Sequence, residues 1–175
     1  NLFLMDIRNE IYYDPITFKN SNYNPITRHY GAEIESRAEM FQGKLEPFVN
    51  WTFQDAFFKG GDFSGHKVPF VPNNKVSAGL SFNILKPLTT TFSMNYIGKS
   101  FAISDQANAQ PKMNSYTTFD FKMDYALKGF KVWFGVKNMF NRRYNAYGVY
   151  SSGAGQVGFY PAAERNYLGG VSYEF

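Results

Sequence analysis

Two histidines, fourteen carboxylates and eighteen lysines and arginines hold most of the titratable chemistry this 175-residue chain could perform, because it has no cysteine. His29 and His66 fall at a strand start and in a loop. An imidazole is a usual axial ligand of haem, but isolated histidines in such places are ordinarily solvated polar groups. Asp120, Lys122 and Asp124 bring two carboxylates within two residues, which invites acid–base chemistry. On a strand, that spacing instead puts all three on one face as a hydrated, charge-balanced stripe. Glu33, Glu35, Arg37 and Glu39 read the same way. Asp105, Asn108 and Asp62 offer oxygen donors but not the spacing of a calcium loop, and solvated loop positions are expected. The Ser-Gly stretch at 151–155 lacks the strand-to-helix context and the lysine of a phosphate cradle. No Ser/His/acid set is convincingly placed. The sequence thus points to no catalytic residue, no metal site and no cofactor.

Binding is better served. Residues 139–163 hold Arg142, Arg143, Tyr144, Tyr147, Tyr150, Phe159 and Tyr160, and no acid. A cationic, aromatic loop suits an anionic, ring-bearing ligand through charge attraction and stacking. Arg142, Arg143, Tyr147, Tyr150 and Tyr160 are the candidate ligand contacts.

These residues must be held by the elements around them. Aromatic residues make up 19% of the chain, yet its mean hydropathy is −0.37. Many aromatics without net hydrophobicity imply apolar residues spread in alternation. No run approaches the roughly 18–20 apolar residues of a membrane helix. Period-two alternation predicts eight strands, over 2–13, 28–41, 45–57, 74–85, 88–101, 114–127, 130–138 and 165–175. In the first, Phe3, Met5, Ile7 and Ile11 face one way and Asp6, Arg8 and Glu10 the other. In the last, Tyr167, Gly169, Val171, Tyr173 and Phe175 oppose Asn166, Leu168, Gly170, Ser172 and Glu174.

The connections alternate in length. Those at 14–27, 58–71, 102–113 and 139–163 are long and rich in Gly, Pro, Asn and Ser. Those at 42–44, 86–87 and 128–129 are tight turns. Long strands with one apolar and one polar face, joined alternately by short turns and long loops, describe an antiparallel transmembrane β-barrel. A soluble β-sandwich would have strands of about five or six residues and would not need so charged a second face. The short turns then mark the periplasmic end, which holds Phe175. Scattered lysines and arginines, with a net charge of +4, give no basic patch for nucleic acid. No signal peptide is visible at Asn1. The chain, beginning inside a strand pattern, is read as a piece of a longer protein with its export signal elsewhere.

Several stretches resemble, in order, the C-terminal barrel portion of the TonB-dependent outer-membrane receptors. Residues 28–35 (RHYGAEIE) resemble an aromatic-Gly-x-Glu strand, and residues 71–75 (VPNNK) a Pro-x-x-Lys strand entry. Tyr96-Ile97-Gly98 with Asp105, Asn108 and Tyr116 is similar to the next hairpin. Residues 135–144 (GVKNMFNRRY) resemble a Val-x-Asn-Leu-Phe-Asp-x-x-Tyr signature, and residues 165–175 the closing strand.

The resemblance implies that residues 1–175 are the last eight strands of a 22-stranded plugged barrel, with the plug and earlier strands absent. It implies a Gram-negative outer-membrane receptor that takes up a scarce nutrient, most often a ferric siderophore, under force from TonB acting through the missing plug. A ferric chelate is then the ligand expected at the cationic loop, although its arginines would also suit anionic lipopolysaccharide and its aromatics a lipid-facing girdle. Phe175 becomes a recognition signal for the barrel-assembly machinery. The haem-receptor motifs Phe-Arg-Ala-Pro and Asn-Pro-Asn-Leu do not occur. Two other functions would fit a β-barrel: a self-contained eight-stranded anchor or adhesin, and a barrel lipase or acyltransferase.

Overall fold

A computed structural model describes residues 1–14, 17 and 19–174, with Ile84 described by its backbone alone. Phe175, expected to finish the last strand and carry the assembly signal, lies outside the described residues.

Eight strands form one antiparallel sheet in a simple meander: β1 (Leu2–Ile7), β4 (Thr27–Arg37), β5 (Leu45–Phe58), β6 (Asn74–Leu85), β7 (Leu88–Ile97), β8 (Tyr116–Leu127), β9 (Phe130–Lys137) and β12 (Asn166–Tyr173). Two hairpins stand apart from it, β2 (Glu10–Asp14) with β3 (Lys19–Tyr23), and β10 (Asn145–Ser151) with β11 (Gln156–Pro161). Among the described residues there is no helix, and β1 and β12 do not pair with each other. The sheet is therefore an open wall with two free edges.

Register carries the alternation from strand to strand. Ile34 lies opposite Trp51 and Trp51 opposite Val76; Val76 lies opposite Tyr96. On the other face Glu35 meets Asn50, Asn50 meets Ser77 and Ser77 meets Asn95. Because side chains alternate strictly along a strand, this register gives one apolar face and one polar face. The polar face is charge-balanced in places: Lys137 pairs with Asp120 at 3.0 Å and Lys122 with Asp124 at 2.9 Å.

The first predicted strand needs two corrections. It breaks after Ile7, where Asn9 turns left-handed (φ 56°), so that residues 10–14 leave the wall as the start of a hairpin. Asn tolerates that conformation better than most residues. Phe3 and Met5 also lie on the polar face, while Leu2 and Leu4 share the apolar face with Tyr30 and Ala32. Gly31 makes this possible. A Cβ there would lie 2.6 Å from the Phe3 ring and 2.2 Å from the Phe53 carbonyl oxygen, so the ring occupies the place of the missing side chain. Phe48 uses Gly79 in the same way, at 2.7 Å.

The long connections at 14–27 and 139–163 are not plain loops either, since each contributes to a hairpin. Lengthy unstructured connections are uncommon in ordered domains, and local pairing satisfies their backbone groups.

One layer of sheet cannot bury both of its own faces. Leu80, Phe82, Val132, Phe134 and Val171 on the apolar face are all exposed. Most of the buried residues gather instead where the long connections meet: Tyr23, Phe58 and Ala102, with the polar Thr27, Ser100, Ser104, Asp105, Gln106 and Asn138.

Candidate functional site

The segment between β7 and β8 ties the long connections together. Its Asp105 is 1% exposed and accepts from the backbone N–H groups of Ala109 (2.8 Å) and Gln110 (3.1 Å). Asp105 is thus a buried cap, contrary to its expected solvation. Its neighbour Ser104 donates through Oγ to the Tyr13 carbonyl in β2 (3.2 Å), and Gln106 donates to the same oxygen (3.4 Å). Asn108 accepts from the Lys67 N–H (2.7 Å) and donates to the Lys67 carbonyl (3.0 Å), clasping the connection between β5 and β6. Ile103 joins β10 through Ile103 N–H to Gly148 O and Tyr150 N–H to Ile103 O, both 2.8 Å. The four long connections therefore form one hydrogen-bonded platform.

The hairpin β2–β3 is fixed to the wall by a second cluster. Thr27, fully buried, donates to Glu10, and Nε2 of His29 lies 3.2 Å from the same carboxylate. The contact with His29, helped by Thr27, holds the Glu10 carboxyl below its ordinary range against the opposing effect of burial. His29 is thus held by an intramolecular acid and is not presented as a free ligand. Among the described residues no group of three or more His, Asp or Glu side chains is placed to hold a metal.

Asn138 shapes the loop carrying the candidate arginines. In a left-handed conformation (φ 50°), it accepts from the Arg142 N–H and donates to the Arg142 carbonyl, both at 2.8 Å. This positions Arg142 and Arg143 on the lining of a cavity of about 650 Å³, beside Lys112, Asn114 and Gln156. No acid lines this cavity. The loop is nevertheless less cationic than residues 139–163 suggest: Glu164, one position beyond, pairs with Arg143 at 3.0 Å. Lys112, which sequence reasoning missed, sits over the Phe101 ring at 5.1 Å.

The candidate tyrosines are elsewhere. Tyr147 and Tyr160 stack on each other across β10–β11, with ring centroids 4.4 Å apart and planes at 15°. Tyr150 is half-buried in β10, opposite Val157. None of the three lines the cavity that Arg142 and Arg143 share. Tyr144 does, and it stacks on Tyr116 at 4.0 Å.

Two further cavities adjoin. One of about 190 Å³ shares Met113, Asn114 and Asn145 with the first and reaches Lys75, Ile97 and Tyr116 on the polar face. The other, about 270 Å³, lies under β2 and is walled by Tyr12, Tyr13, Tyr23 and Phe58. Phe70 lines both.

Comparison with known proteins places this arrangement. The ferric citrate transporter FecA superposes with a TM-score of 0.77 at 20% identity, over 98% of this chain and 28% of its own. The ferric yersiniabactin uptake receptor FyuA from Yersinia pestis gives 0.74 at 22% identity, over 97% and 26%. The copper transporter OprC gives 0.75 at 15%, over 98% and 28%. This chain thus spans about a quarter of the solved chains it matches, and the likeness is one of fold. A family model described as "TonB dependent receptor-like, beta-barrel" matches residues 1–139. With an open wall of alternating faces and its long connections knit together at one end, the chain belongs to the TonB-dependent receptor-like β-barrel family.

Proposed function

We propose that this chain is the ligand-facing part of an energy-coupled outer-membrane receptor, and that the cargo is an anionic ferric chelate of the siderophore type. The observation that carries this is the cavity of about 650 Å³, lined by Lys112 and Arg142 together with Arg143, which Glu164 pairs, and by no acid. Cations gathered in a concave, partly enclosed site focus a positive potential that attracts and retains an anion. A bare copper ion would call instead for imidazole or sulfur donors, and Met113 is the one such group on the lining.

The rest of the molecule fits that role. The apolar face meets lipid, and the polar face meets a plug that fills the barrel. The open edges of β1 and β12 are completed by about fourteen further strands of a 22-stranded barrel. Unpaired strand edges are not tolerated in a bilayer, which favours this over a self-contained eight-stranded anchor. TonB acts through the plug, outside this chain. Lipopolysaccharide surrounds the long-loop end, and Phe175 serves the barrel-assembly machinery.

The test uses the full-length receptor, titrated with ferric citrate, a ferric catecholate and cupric ion, and with a Lys112→Ala/Arg142→Ala variant beside the parent. Removing two cations from one site is expected to weaken binding of the anionic chelates by about ten- to a hundredfold. Failure of every ferric chelate to bind the parent, or equal affinity in the variant, would overturn the proposal.

A further inference from the structure

Phe70 lies in the sequence Val68-Pro69-Phe70-Val71-Pro72, in the connection between β5 and β6. Its φ is +60°, in the left-handed region. Proline followed by a left-handed residue is the pattern of a type II turn, in which the second position is normally glycine or asparagine. A bulky aromatic there is a true outlier, and such conformations persist only where the surroundings enforce them. Pro69 and Pro72 stiffen the chain on either side, and the Phe70 N–H donates to the Phe101 carbonyl at 3.0 Å.

Phe41 is the other left-handed phenylalanine, with φ 53°. It belongs to the tight reversal between β4 and β5, where Gln42 and Gly43 are left-handed as well, so the turn itself accounts for it. No such reversal of paired strands requires Phe70.

This constraint holds an apolar ring 45% exposed, on the lining of both smaller cavities. On one side are the rings of Tyr12, Tyr13, Tyr23 and Phe58; on the other, Lys75 and the polar face of the wall. Neither space suits a whole chelate. At about 270 and 190 Å³, each is of a size for a single six-membered ring and its substituents. A planar ring there gains offset or edge contacts with Phe70, which an aliphatic group of equal volume would not. The cavity beside Lys75 neighbours the cationic cavity, with Met113, Asn114 and Asn145 lining both, so a ring at Phe70 and an anionic centre near Arg142 are close enough to belong to one molecule.

From these observations we infer that Phe70 is a specificity-determining residue, a preorganised aromatic platform that selects ligands carrying an aryl ring. The inference rests on the ferric-chelate proposal for the wider site, and its test separates the two.

The full-length receptor is compared with Phe70→Leu and Phe70→Trp variants, using three probes: the ferric complex of 2,3-dihydroxybenzoate, ferric citrate and iron-free 2,3-dihydroxybenzoate. Phe70→Leu keeps apolar bulk and removes the ring. It is expected to weaken the ring-bearing ferric complex by about tenfold and to change ferric citrate by less than twofold. Phe70→Trp is expected to retain affinity and to report ring-bearing probes by a change in indole emission. Equal losses for both ferric complexes, no loss for either, or binding of citrate without any ring-bearing probe would overturn the assignment. If neither ferric complex binds the parent, the ferric-chelate proposal falls. Phe70 is then decided by the iron-free acid: a change in indole emission sustains it, and none overturns it.

Discussion

Replacing Asp105 with alanine should loosen connections that are remote from it in sequence. The carboxylate accepts two backbone N–H groups at 2.8 and 3.1 Å while 1% exposed. Hydrogen bonds to a charged acceptor contribute about 1.5–3 kcal/mol each, and orphaned buried donors cost about 1–3 kcal/mol. These are two views of one loss, and relief of the buried charge offsets part of it. A net local cost of about 2–4 kcal/mol follows, or roughly thirty- to a thousandfold in the opening equilibrium at about 1.4 kcal/mol per decade. Hydrogen exchange of the full-length receptor would read this out. Protection should fall at Ala109 and Gln110, and also at Lys67, Ile103 and Tyr150, whose N–H groups bond to or from the same segment. Amides between β6 and β7 should be unchanged, and Asp105→Asn, keeping one acceptor oxygen, should fall between. Loss confined to Ala109 and Gln110 would refute the idea that this segment couples the connections. No loss at all would refute the structural role of Asp105.

Two further outcomes are expected. The Glu10 carboxyl is held below its ordinary 4.5 by His29 and Thr27, so the folded state binds this proton less readily than the unfolded one. Its contribution is then complete above about pH 4.5 and is lost as pH falls through the lowered value. A nitroxide at Ile11→Cys should be restrained at pH 7 and mobile in acid, and Glu10→Gln should remove the pH dependence; an unchanged acid transition in that variant would count against the clasp. At Gly79 a Cβ would sit 2.5 Å from the Phe92 carbonyl oxygen and 2.7 Å from the Phe48 ring. Gly79→Ala should therefore destabilise the β6–β7 region by about 1–3 kcal/mol and lower the temperature at which the folded band is lost in heated electrophoresis; adding Phe48→Ala should restore only part, since the carbonyl contact remains.

The wall was legible in the sequence because each strand separates two environments, which imposes a period of two on most positions of β4 to β9. Phe3 broke the rule for a reason no single strand contains. Its socket is the absent side chain of Gly31 on the neighbouring strand, and only register reveals that the two residues meet. The arginine loop was half legible. Asn138, which clamps Arg142, lies within a recognisable motif, but Glu164, the partner of Arg143, stands one residue past the acid-free stretch 139–163. Lys112 was invisible because it reaches the cavity from a connection some thirty residues away. Ser104 to Tyr13 spans 91 positions and Asn108 to Lys67 spans 41; neither has a local signature. Phe70 had one faint signal, the proline before it, which sets up a turn wanting glycine in the next place.

What the sequence hid shares a physical cause. A single-layer wall has no interior, so its alternating pattern records only the two surroundings it separates. The long connections must create an interior of their own, and they do so largely with polar groups: Thr27, Ser104, Asp105 and Gln106 are buried, and each has a hydrogen-bonded partner. Apolar packing tolerates exchanges of similar volume, whereas a buried polar network is satisfied in few geometries and penalises the others. Building the platform this way restricts the shapes it can take. A restricted shape would lower the cost of ordering loops on binding of the proposed ligand, and it can hold Phe70 in a conformation that a looser loop would abandon.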